Sequence, residues 1–97
     1  MAATNQIGWE VLAVSTSAVS LTPGTAKHAI IRVTGAPIRW RADGTAPTST
    51  VGMYADVNQF IEWMELGNTY SGILRNIKFI RDTSAGADAS LEVAYFD

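Results

Sequence analysis

Apolar residues recur along this chain in short, partly alternating runs separated by turn residues, which is the spacing of strands. Ile7 to Val14 sets Trp9, Val11 and Ala13 on one face and Glu10, Leu12 and Val14 on the other, so both faces carry apolar side chains. Ala18 to Thr22 reads as a second strand ending at Pro23-Gly24, and Lys27 to Thr34 as a third, with Ile31 and Val33 opposite Ile30 and Arg32. Pro37 can open a strand but not occupy its middle, so a fourth runs from Ile38 to Ala42, with Ile38 and Trp40 inward and Arg39 and Arg41 outward. Thr48 to Tyr54 is a fifth, carrying Val51 and Met53 on one face.

Residues 56–67 fit two descriptions. Val57, Phe60, Ile61 and Met64 have helical spacing, Asp56 with Gln59 mimics a capping box, and Gly67 suits a helix stop. Gln59 to Met64 equally makes a strand between turns, and its neighbours favour that choice. Ile73 to Asp82 reads as one strand with Ile77 and Phe79 inward and Arg75 and Arg81 at its rims. Leu91 to Phe96 closes the chain with Leu91, Val93 and Tyr95 on one face. The expected fold is all-β, about eight short strands in a jelly-roll-like β-sandwich. It forms a single domain over residues 1–97, with residues 1–6 as a flexible N-terminal arm.

Composition supports this reading and narrows the function. Val, Ile and Thr supply 25 of the 97 residues, and these β-branched types favour extended backbone. Charged residues are 16% of the chain, below the roughly 25% of an ordinary globular protein. Sparse charge points to a surface partly covered by partners. The net charge is -2 with no run of like sign, which argues against a nucleic-acid footprint or a polybasic membrane patch. There is no cysteine, which removes thiol nucleophiles and zinc or iron-sulfur ligation by thiolates. Met1 to Ile7 lacks the basic and apolar regions of a signal peptide, so synthesis in the cytoplasm is expected.

Candidate chemistry is thin. His28, the single histidine, lies beside Lys27 in a strand with no nucleophile-elbow sequence nearby, and a strand-edge histidine is the simpler reading. Glu62 and Glu65 are close in sequence but read as solvated carboxylates. Asp43-Gly44 lacks the spaced partners of a calcium loop and reads as a tight turn, with Asp43 bonding a backbone N–H two residues on. Neither a phosphate-cradling nor a dinucleotide motif is present, so no cofactor and no metal are expected. Trp9, Trp40 and Trp63 with Tyr54 and Tyr70 offer a sugar-stacking platform, although a chain this short needs tryptophans for its core.

The run Gly35-Ala36-Pro37-Ile38-Arg39-Trp40-Arg41-Ala42-Asp43-Gly44, continuing through Pro47-Thr48 to Val51-Gly52-Met53, resembles a pattern in small virion proteins of tailed bacteriophages. There an Arg-aromatic-Arg strand leads into Asp-Gly-x-x-Pro-Thr and a Val-Gly step. Asn76 to Arg81, a small-residue turn, and Ala89 to Phe96 form a second matching piece, and the two cover about half the chain. Glu62 to Leu66 and the longer insert Gly67 to Gly72 depart from the pattern. The resemblance implies a non-enzymatic structural part. The expectation is a capsid decoration or cement protein on the outer face of the virion shell, a homotrimer bound to the major capsid protein. A head-tail or tail component and a carbohydrate-binding module aiding attachment are the alternatives. Trp40, Asp43 and Gly44 are the expected core and turn residues, and Asn5, Gln6, Ile7, Trp9, Leu12, Arg39 and Arg41 the expected subunit or capsid contacts.

Overall fold

The computed structural model describes residues 5–22, 26–64 and 73–96 of the chain. Strands form over most of the short runs that the apolar pattern marks. They are β1 (Gln6–Val14), β2 (Val19–Ser20), β3 (His28–Thr34), β4 (Ile38–Arg41), β5 (Met53–Ala55), β6 (Phe60–Met64), β7 (Lys78–Arg81) and β8 (Ala89–Phe96), with one helical turn, α1 (Ile73–Asn76), before β7. They build two antiparallel sheets in the orders β1-β8-β3-β6 and β2-β7-β4-β5. Each strand pairs with its counterpart counted from the other end of the chain: β1 with β8, β2 with β7, β3 with β6 and β4 with β5. A long two-stranded ribbon is thus rolled up so that successive pairs fall alternately in the two sheets, which is the topology of a jelly roll.

The core lies between the sheets and follows the alternation. Ala29, Ile31 and Val33 of β3 and Leu91, Val93 and Tyr95 of β8 are buried against Ile38, Phe79 and Leu74. Their intervening neighbours face outward. β1 turns Leu12 and Val14 to this core and Trp9 and Val11 away from it.

Residues 56–59 settle as a turn, and β6 follows as a strand. Asp56 N–H donates to Gln59 Oε1 at 2.5 Å and Gln59 N–H to the Asp56 carbonyl at 3.1 Å, so the capping-box pair closes a turn. Asn58 has φ 71°, outside the helical range. Backbone bonds from Asn58 N–H to Val33 O (2.7 Å) and from Val33 N–H to Gln59 O (3.0 Å) then prolong the β3–β6 ladder.

Three expected boundaries are corrected. Ile73 to Asp82 is not one strand, because Leu74 and Ile77 are both buried and lie three apart, a spacing that a helical turn places on one side and a strand does not. The fifth strand starts at Met53, since Thr48 and Val51 exchange backbone bonds of 2.9 and 3.3 Å in a tight turn. Gln6 is not part of an arm: it opens β1 opposite Phe96, with an irregularity in register between Gln6 and Gly8. The remaining arm residues Met1 to Thr4, the Pro23-Gly24 turn, Glu65, Tyr70 and the insert Gly67 to Gly72 lie outside the described residues.

Candidate interaction surfaces

The outward face of the β1-β8-β3-β6 sheet is built row by row from the strand register. One row crosses the sheet as Val11, Glu92, Arg32 and Phe60, and the next as Trp9, Ala94, Ile30 and Glu62. Phe96 and His28 stand side by side in a third, with ring centroids 5.3 Å apart. Trp9 is 58% exposed, Val11 60% and Phe60 67%. The charges on this face are paired among themselves. Arg32 Nη1 donates to Glu92 Oε1 at 3.2 Å and Nη2 to Asn58 Oδ1 at 3.0 Å, while His28 Nε2 lies 2.7 Å from Glu62 Oε2. His28 is nearly buried, and its Nδ1 has no hydrogen-bond partner among the described residues.

A second apolar surface surrounds Trp40 at the β4–β5 edge of the other sheet. An open pocket of about 430 Å³ is lined by Trp40, Arg41, Asp43, Val51 and Met53. Trp40 is half-buried and packs on the core from one side, while Met53 is exposed. The turn beneath it is organised by Asp43, whose Oδ1 accepts the Thr45 N–H at 3.2 Å and whose carboxylate pairs with the Arg41 guanidinium at 2.5 and 3.2 Å. Those bonds hold the Asp43 carboxyl below its ordinary pKa and raise that of Arg41. Gly44 follows with φ 85°, a conformation that a side chain disfavours.

Arg39 is a structural clasp. Its Nε donates to Asp82 Oδ1 at 2.7 Å, its Nη1 to the Gly52 carbonyl at 3.0 Å, and its guanidinium lies 5.4 Å from the Tyr54 ring centre. Asp82 is buried and also accepts Ser84 N–H at 2.8 Å and Ser84 Oγ–H at 2.5 Å. The two Ser84 donors, then Arg39, pull its carboxyl down to about 2. Glu10, half-buried on β1, plays a similar part. Its partial burial raises its pKa, but hydrogen bonds from the Tyr95 hydroxyl and from Thr22 more than offset this and leave it lowered. Burial, reinforced by Glu10, pushes the Tyr95 hydroxyl well up.

The expected contact residues therefore divide. Ile7 and Trp9 stand exposed on the outer face of β1, and Asn5 and Gln6 are exposed at its start. Leu12 is corrected, since it points inward and packs on the core. Arg39 and Arg41 are engaged by the carboxylates of Asp82 and Asp43, which lie just past the ends of β7 and β4. Sequence reasoning missed Phe60 and the Asp82 cluster. Phe60 alternates with Ile61, which faces the core, and Asp82-Thr83-Ser84 is a side-chain turn signature.

Trp9 and Tyr54 stand on different sheets. Among the described residues no group of three His, Asp or Glu is placed to hold a metal, and no helix is long and apolar enough to cross a membrane. Comparison of the chain with protein-family models, with curated proteins and with solved structures returned no match.

Proposed function

We propose that this protein is a non-enzymatic structural subunit of a phage virion, a homo-oligomeric decoration protein bound to the outer face of the major capsid shell. The observation that carries this reading is the pair of uncovered apolar surfaces, one on the β1-β8-β3-β6 sheet and one around Trp40. A monomer of 10.4 kDa has little reason to keep Trp9, Val11, Phe60 and Met53 in water. Jelly rolls recur in viral capsid and lectin domains, and the sequence resemblance favours the first of these. His28 adds to the non-enzymatic reading: it is nearly buried, held by Glu62 and tilted against the Phe96 ring.

The test is quantitative composition of virions assembled with this chain, combined with imaging of the particles. The expected result is many copies, in step with the major capsid protein, spread over the shell. A handful of copies at the portal or tail would replace the reading with a head-tail or tail component, and absence from particles would overturn both.

A carbohydrate-binding reading rests on the Trp40 pocket, where an aromatic ring lies beside the Arg41–Asp43 pair. Oligosaccharide that quenches tryptophan fluorescence in the wild type and not in Trp40→Phe would favour it.

A further inference from the structure

The rows on the outer face of the β1-β8-β3-β6 sheet have a property that no single residue reveals. Reading outward from the seam between β8 and β3, Glu92 stands opposite Arg32, Ala94 opposite Ile30 and Phe96 opposite His28. One strand further out, Val11 stands opposite Phe60 and Trp9 opposite Glu62. A two-fold axis lying in the face along that seam exchanges the two halves of every row. It brings each residue over the residue at the mirrored position of the same row on a second copy.

We infer that the occupant of this face is a second copy of the same chain, packed sheet to sheet about that axis. Under this operation Glu92 meets the second copy's Arg32 and Arg32 meets its Glu92, so two in-sheet ion pairs become a four-membered alternating cluster. Each carboxylate keeps the partner it already has at 3.2 Å, and no charge is buried alone. Small Ala94 lies over large Ile30, and Val11 lies over Phe60. Trp9 meets Glu62, whose carboxylate can accept the indole N–H, a donor that a buried tryptophan must satisfy.

Size is consistent with a specific contact. Four strands span about 19 Å and the strands run for about 25 Å, a footprint of roughly 500 Å² per copy. A pair therefore covers on the order of 1,000 Å², the threshold for a specific contact and within the range of reversible ones. The contact uses the same patch on both copies, so it closes on itself and leaves no matching surface for a third. This symmetry differs from the trimer expected on the sequence. The inference concerns self-association alone and stands apart from attachment to a shell.

Charge reversal tests it with the full-length chain and solution mass as the readout. Wild type is expected at twice 10.4 kDa over its soluble range. Val11→Lys is expected to halve that mass with an unchanged circular dichroism spectrum, because Val11 is exposed in the folded chain. Arg32→Glu alone opposes acidic residues to acidic residues, and Glu92→Arg alone opposes basic to basic, so each is expected to be monomeric. Mixed in equal amounts the two are expected to recover the doubled mass, since the acidic face then meets the basic one. Loss of the Arg32–Glu92 pair within a chain leaves folding intact, because both side chains are substantially solvent-exposed. A monomeric wild type, a trimer, single variants that keep the doubled mass, or a mixture that stays monomeric would overturn the two-fold pairing.

Discussion

Asp82 has almost no contact with solvent, yet it is the most strongly stabilised carboxylate described, because Ser84 supplies two donors and Arg39 a third. Its pKa falls from 3.8 to about 2, so the folded state binds a proton less readily than the unfolded chain does. The stability this confers is complete above the unfolded value and is lost as pH drops through the folded one. Thermal unfolding of wild type and Asp82→Asn should therefore differ at neutral pH, with the variant less stable, and the gap should close between about pH 4 and pH 2. Equal midpoints at neutral pH would show that the clasp contributes nothing. Trp40 is half-buried and borders an open pocket, so Trp40→Ala should cost about 2 to 3 kcal/mol in denaturant unfolding, below the range for a fully buried tryptophan. Tyr95→Phe removes the hydroxyl that donates to Glu10 and should cost about 1 to 2 kcal/mol by the same measurement.

The elements repay comparison with the residues that encode them. β3 and β8 were legible because every second residue leaves one side of each strand apolar and buried, and a shift of one residue would expose Ile31, Val33, Leu91 and Val93 together. The short connections were harder. A single helical turn over residues 73–76 is too brief for periodicity to distinguish from a strand, and only the joint burial of Leu74 and Ile77 identifies it. Asp56 and Gln59 carry the chemistry of a helix start, but their bonds suit a turn equally, and tertiary pairing to Val33 decides between them. The paired charges on the outer face were invisible in sequence, because Arg32 and Glu92 lie far apart in the chain and meet only through the β3–β8 register. Between β4 and β5, Gly52 has φ 136°, and a Cβ there would sit 3.0 Å from the Trp40 carbonyl oxygen and 3.1 Å from Pro47 Cβ. Gly52→Ala should thus destabilise the protein by about 1 to 3 kcal/mol, read from denaturant midpoints. A neutral effect would mean that the β4–β5 loop relaxes without loss.

At the scale of the whole molecule, the rolled ribbon makes the pair most distant in sequence, β1 with β8, a neighbour of the core. No local segment can bury Leu91 and Val93, whose ladder partners on β1 and β3 lie far away in the chain, so loop-closure entropy must be spent early. Refolding followed by tryptophan fluorescence should accordingly take milliseconds to seconds, as for other β-sandwiches. A submillisecond phase carrying the full amplitude would show that local pieces assemble independently. The same pairing sets Gln6 directly opposite Phe96, so the chain enters and leaves the ordered sandwich at one corner. The polypeptide is thus topologically almost a ring, cut at that corner. A short linker could join the cut and new ends could be opened at Asp43-Gly44, at the far tip of the ribbon, giving a circular permutant with every strand pairing retained. A domain fused before Gln6 or after Phe96 would, for the same reason, emerge from a single corner of the sandwich.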